Sequence, residues 1–167
     1  MPPVISVIGK SKSGKTTLIE KLIPELRSRG FRIGIIKHAF HEFEIDKKGK
    51  DSWRHKAAGA EKVVVSSPRF VTMIKDFQGE NLEALESYFS DVDLVITEGY
   101  KKGNKPQIEV FRNAQHQNPL STTNQNLIAM VTDSTLNLDL PVFGLDDIDG
   151  LADLIEKKYL QTSKPRG

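Results

Sequence analysis

The chain has 167 residues, enough for one domain with a substantial core, and its charged residues nearly cancel to a net charge of +2. That balance argues against a dedicated nucleic-acid binder, and no apolar run is long enough to span a bilayer. There is no cysteine, which excludes thiolate metal sites and cysteine nucleophiles, and no basic start followed by an apolar signal core, so a cytoplasmic location is expected.

In chain order, Val4-Ile5-Ser6-Val7-Ile8 is short, apolar and rich in β-branched residues, the pattern of a buried strand. A helix is predicted from about Lys15 to Arg29, stopped by Gly30, with Leu18, Ile19, Leu22, Ile23 and Leu26 as its buried stripe and Pro24 as a point of kinking or loosening. Phe31 to Lys37 reads as a second strand. His38 to Asp51 reads as a polar loop, with a short strand possible at Phe43 to Ile45. Asp51 is placed to cap a helix running to Ala58 and ended by Gly59. Val63 to Val65 and Val71 to Ile74 are strands joined by a Ser66-Ser67-Pro68 turn, and Asn81 caps a helix to about Phe89. Further strands are predicted at Leu94 to Ile96, Gln107 to Phe111, Leu127 to Val131 and Val142-Phe143, then a last helix over roughly Ile148 to Tyr159. The tail 161–167 is polar and expected to fray. Alternating strands and helices imply an α/β fold, a mainly parallel central sheet flanked by helices, within one domain over 1–160.

The strongest chemical signal is Gly9-Lys10-Ser11-Lys12-Ser13-Gly14-Lys15-Thr16, which fits the phosphate-binding P-loop G-x-x-x-x-G-K-[ST]. A strand precedes it and a helix follows, the context that distinguishes the motif from a chance Gly/Ser turn. Such a loop wraps a phosphate with its backbone N–H groups, and the helix start adds partial positive charge. Lys15 is then expected at the β/γ-phosphates and the Thr16 hydroxyl on Mg²⁺, with Thr17 beside them. Ligands of parallel sheets gather at the carboxyl ends of the strands. There the strand Leu94 to Ile96 delivers Glu98, a candidate to complete the Mg²⁺ shell, followed by Gly99, where backbone can approach a phosphate.

A second cluster is Lys37-His38-Ala39-Phe40-His41 with Asp46, Lys50, Asp51 and Arg54. It reads as a switch-like loop over an anionic ligand, as a weak His-x-x-His metal signal, or as a solvated charged surface. Lys101-Lys102-Gly103-Asn104-Lys105-Pro106 is a basic turn that either meets phosphate or is an ordinary polar hairpin. Asp133, at the end of the Leu127 to Val131 strand, is placed to accept hydrogen bonds from a guanine edge, but the pattern is too short to decide GTP over ATP.

Together these segments resemble the MobB family, P-loop GTP-binding proteins of molybdopterin guanine dinucleotide biosynthesis. The resemblance is carried by Gly9 to Leu18, Lys37 to Phe43 with Asp46, Gly49-Lys50-Asp51-Ser52-Trp53-Arg54, Ala58-Gly59-Ala60, Leu94 to Lys101, Pro106 to Val110 and Arg112. It implies a homodimer that binds GTP with Mg²⁺ and hydrolyses it weakly. Such a protein assists a separate molybdopterin guanylyltransferase acting on molybdopterin or its molybdenum form, without nucleic acid or membrane. On this reading Lys15, Asp46 and Glu98 serve catalysis and Thr16 with Glu98 holds the metal. The ligand meets Gly9, Lys10, Ser11, Lys12, Ser13, Gly14, Lys15, Thr16, Thr17, His38, Lys50, Arg54, Gly99 and Asp133. Lys10 lies where dimeric septum-site ATPases carry a lysine that reaches the other subunit's phosphates, although a solvated loop lysine is the simpler expectation. Competing classes are a non-hydrolysing nucleotide-binding adapter, a metal-insertion GTPase, which usually carries cysteines, and a small-molecule kinase, which needs converging arginines that Arg54, Arg69 and Arg112 do not supply.

Overall fold

A computed structural model describes residues 1–39, 46–77, 81–114, 118–120 and 124–160. The chain divides into two compact units, one from Met1–His38 together with the chain from Leu85 onward, the other Ala39–Ala84. The expectations placed on Phe40, His41, the Phe43 to Ile45 strand and the tail 161–167 lie outside the described residues.

The first unit is built on six strands: β1 (Val4–Ile8), β2 (Ile33–Lys37), β5 (Leu94–Glu98), β6 (Gln107–Phe111), β7 (Leu127–Thr132) and β8 (Val142–Phe143). Their order is β2-β5-β1-β6-β7-β8, and every neighbouring pair is parallel. All six carboxyl ends therefore share one edge. β1 is buried along its whole length, as expected of a central parallel strand flanked on both faces. On one face, Ile5, Val7, Ile96, Ile108, Val110 and Val131 pack with Leu18, Leu22 and Leu26 of α1 (Lys15–Ser28) and Leu151 and Ile155 of α4 (Ile148–Ile155). The predicted stripe of α1 is buried at Leu18, Ile19, Leu22 and Leu26, while Ile23 is half-buried. The helix continues through Pro24, which lies on its exposed side. On the other face Phe111, Leu127 and Met130 pack with Leu136, Leu138 and Leu140.

Two elements differ from their sequence-based description. The last helix is α-helical only to Ile155, and Glu156–Leu160 forms a π-helical turn. In an α-helix, residues five apart point about 140° away from each other. The wider turn brings Leu160 back to the buried side with Ile155, and both are fully buried. The helix after Asn81 is a short α3 (Leu82–Glu86) that tightens into a 3-10 turn over Ser87–Phe89; Asn81 Oδ1 accepts from Ala84 N at 3.2 Å, as a cap should.

In the second unit, α2 (Asp51–Ala57) is followed by β3 (Lys62–Ser66) and β4 (Val71–Lys75), an antiparallel pair separate from the main sheet. A four-residue connection is too short for a parallel crossover. The turn is held by Ser67 Oγ, which accepts from Phe70 N at 3.0 Å. Lys50, rather than Asp51, occupies the N-cap of α2 and makes no side-chain cap; Asp51 is the first helical residue, where its charge favours the helix start. Gly59 ends the segment at φ 106. No helix among the described residues is long and apolar enough to cross a membrane.

Candidate nucleotide site

The loop from Gly9 to Gly14 leaves the buried end of β1 and enters α1. Two of its glycines have left-handed backbone, Gly9 at φ 151 and Gly14 at φ 98. A side chain at Gly9 would strike the Val110 carbonyl and Ser13 Oγ, each 2.5 Å from its Cβ position, so only glycine fits there. Lys12 also adopts positive φ, at 62, an uncommon conformation of the kind found at ligand-binding loops. Ser13 N donates to the Lys10 carbonyl at 3.3 Å, which closes the loop. Lys15 Nζ folds back to donate to the carbonyls of Lys10 at 2.8 Å and Gly9 at 3.3 Å. Burial holds the Lys15 ammonium below its ordinary pKa; Glu98 opposes that shift, while Lys101 and Lys37 reinforce it.

The strand register explains what meets this loop. Lys37 lies opposite Glu98, and Glu98 lies opposite Val7, so β2 and β5 end together, one residue before β1 passes into the loop. Thr16 Oγ1 donates to Glu98 Oε1 at 2.9 Å across 82 residues of sequence, and Lys37 Nζ stands 3.8 Å from Glu98 Oε2. A hydroxyl and a carboxylate, both hard oxygen donors, form a set suited to Mg²⁺, which usually takes one or two protein ligands and keeps several waters. Among the described residues no group of three or more His, Cys, Asp or Glu is arranged to hold a metal. Ser13 Oγ is buried with no hydrogen-bond partner among the described residues, an acceptor and donor left inside the loop. These features fit a phosphate with an accompanying Mg²⁺.

On the other side of β1, Asp133 follows β7. Its Oδ1 accepts from Asn113 N at 3.0 Å, and Oδ2 lies 3.9 Å from Arg112 Nε. Asp133 lines a cleft with Thr132, Ser134, Thr135, Gly144 and Leu145 at the ends of β7 and β8. A neighbouring cleft runs past Ser13, Gly14, Thr17, Lys21 and Arg112. The strand order thus places a carboxylate beside a recess on one flank of the loop and Glu98 on the other.

A family model described as molybdopterin guanine dinucleotide synthesis protein B, MobB, matches residues 4–133, most of the chain, including the loop from Gly9, Glu98 and Asp133. The chain belongs to the MobB family. It is 38% identical over 157 residues to the molybdopterin-guanine dinucleotide biosynthesis adapter protein of Haemophilus influenzae, covering 92% of this chain and 88% of that one. It is 37% identical over 161 residues to the protein of the same description in Escherichia coli, covering 93% and 92%. Its fold matches a crystal structure of molybdopterin-guanine biosynthesis protein B at TM-score 0.72 and 33% identity, over 92% of this chain and 97% of that one. It matches Bacillus subtilis MobB at TM-score 0.74 and 27% identity, over 94% and 98%. The fold is that of a P-loop NTPase.

In this MobB-family chain, the candidate residues Gly9 to Thr17, His38, Glu98, Gly99 and Asp133 all belong to the first unit and stand at its carboxyl edge. Lys10 Nζ donates to the Asn118 carbonyl at 2.8 Å. Gly99, at φ 109, has a local reason to be glycine, since a Cβ there would lie 3.0 Å from the Cβ of His38. The His38 ring in turn packs at a tilt against Tyr100, centroids 4.8 Å apart and planes at 43°. Asp46, Lys50 and Arg54 belong to the second unit. There Arg54 makes an exposed pair with Asp51 at 3.7 Å, and Asp46 Oδ2 is buried with no hydrogen-bond partner among the described residues. Two side chains that carry the resemblance in sequence are given no place in the site there. Arg112 carries its Cδ to 3.8 Å from the Cβ position of Gly14, and Gln107 is fully buried at the start of β6. A polar residue opening an apolar strand was the one available signal for Gln107.

Proposed function

We propose that this chain binds GTP with Mg²⁺ at the P-loop, hydrolyses it slowly, and acts as a homodimeric cytoplasmic adapter for a guanylyltransferase that attaches GMP to molybdopterin or its molybdenum form. The observation that carries the nucleotide reading is the Thr16–Glu98 hydrogen bond, which joins the P-loop helix to the strand-end carboxylate. In such a site the loop N–H groups bind phosphate oxygens, Lys15 turns from its two loop carbonyls to the β/γ-phosphates, and Thr16 with Glu98 holds the metal. Mg²⁺, when bound, neutralises charge on the β- and γ-phosphates. Glu98 is also positioned to orient a water, with Asp46 a second candidate.

Guanine preference is supported by Asp133, whose carboxylate is held at the rim of the cleft beyond β7. The adapter role is supported by the family model and by the description carried by the relatives in Haemophilus influenzae and Escherichia coli. The dimer is supported by the β3–β4 hairpin, which exposes Val64, Val65, Phe70 and Val71. The test is competition calorimetry, GTP against ATP with Mg²⁺, followed by a hydrolysis assay and capture of the guanylyltransferase. Tighter binding of GTP with slow phosphate release is the expected result. Equal affinity for both nucleotides would remove the guanine reading, and binding without turnover would leave a non-hydrolysing adapter.

A further inference from the structure

The turn between Glu98 and β6 is held more firmly than a surface connection requires. Gly99 and Tyr100 both have left-handed backbone, φ 109 and 54, and for tyrosine that conformation is unfavourable. Gly103 N donates to the Tyr100 carbonyl at 3.0 Å. Beneath the turn, buried Gln107 spends both amide protons on it, donating from Nε2 to the carbonyls of Lys101 and Gly103, each at 3.2 Å. Its Oε1 accepts from Asn124 Nδ2 at 2.6 Å, so the amide cannot rotate without losing three bonds. The residue presented by this anchored backbone is Lys101, three positions beyond Glu98.

Charge at this end of the site does not balance. Glu98 already serves Thr16 through one oxygen and faces Lys37 through the other. Lys15 is desolvated beside them and is felt electrostatically by both Lys37 and Lys101. Lys37 and Lys101 both repel the Lys15 ammonium while Glu98 opposes them, a surplus of positive charge that an anion would relieve. Strand order says which part of a nucleotide that anion belongs to. β5 lies on one flank of β1 and β7 on the other, so the Glu98–Lys101 side is opposite the Asp133 cleft.

We propose that Lys101, positioned by Gln107, is a further cation for the terminal phosphate of the bound nucleotide. The proposal rests on the nucleotide reading above and deepens it: the site distinguishes triphosphate from diphosphate through a lysine supplied by its own chain.

The test compares Kd for GTP and GDP, each with Mg²⁺ at fixed ionic strength, with melting temperatures recorded for every variant. Lys101→Met should weaken GTP about tenfold, the loss of one charge-assisted contact, and leave GDP near the parent value. Lys101→Arg should keep most of the GTP affinity. Gln107→Met should lower the GTP-to-GDP preference in the same direction, and Lys157→Met, which removes an equal charge from the last helical turn, should leave it unchanged. A parental GTP-to-GDP ratio in Lys101→Met overturns the proposal while nucleotide binding by the parent chain stands. A Gln107→Met variant that shifts only the melting temperature overturns its positioning role. A parent chain that binds neither nucleotide overturns the P-loop reading and this one with it.

Discussion

At the scale of single residues, the site depends on a few groups whose resting partners are themselves informative. Lys15 bonds to two loop carbonyls, contacts that a phosphate would replace. Lys15→Ala should therefore weaken GTP binding by about 1.5–3 kcal/mol, roughly ten- to a hundredfold in Kd, measured by calorimetry at fixed salt and Mg²⁺. An unchanged Kd would remove the phosphate assignment. Thr16 and Glu98 share one hydrogen bond but are expected to separate functionally. Thr16→Ala should weaken only the Mg²⁺-dependent part of binding. Glu98→Gln keeps a carbonyl acceptor for Thr16 and should slow hydrolysis more than it lowers affinity. Parental turnover in Glu98→Gln would leave that acid a structural partner of Thr16 and shift attention to Asp46.

At the scale of elements, the sheet is positioned by close approaches as much as by apolar burial. Gly34 on β2 is the clearest case: a Cβ there would lie 2.4 Å from Phe89 Cδ1 and 2.8 Å from Cε1, in the 3-10 turn that follows α3. Gly34→Ala should cost about 1–3 kcal/mol by overpacking, read from urea unfolding, and Phe89→Leu in the same chain should recover part of the loss. If Gly34→Ala alone is as stable as the parent, the Phe89 contact is looser than this geometry. Elsewhere Arg29, at the end of α1, pairs with Glu25 at 2.7 Å and reaches Asp153 and Glu156 of the last helical segment at 2.6 and 3.0 Å. These bonds raise its already high pKa, so the Arg29 guanidinium stays charged at physiological pH.

At the scale of the whole molecule, the two units carry different parts of the proposed function. The first holds the candidate nucleotide site; the second exposes an apolar hairpin together with Lys50 and Arg54. A chain of this length can bury its own core, so a dimer would serve function more than stability. Sedimentation or light scattering in the micromolar range should give twice the chain mass, and a monomeric mass with and without nucleotide would remove the dimer. Changing both Lys50 and Arg54 to Ala should spare GTP binding but impair cofactor maturation in a reconstituted assay. Full maturation would make that surface simply solvated.

What the sequence by itself determined is what local chemistry determines. The P-loop needs glycine at positions of left-handed backbone, the buried strands announce themselves by β-branched runs, and Gly30 and Gly59 stop helices in the conformation that only glycine adopts cheaply. Glu98 was legible because an apolar strand ends on it. The tertiary structure decided what depends on residues distant in sequence. Register set Lys37, Glu98 and Val7 side by side, parallel pairing put the P-loop between Glu98 and Asp133, and a fully buried glutamine took hold of the turn that carries Lys101. It also separated β3 and β4 from the main sheet and widened the last helical turn to return Leu160 to the core. None of these follows from spacing along the chain, because each is set by which surfaces pack together once the sheet has formed.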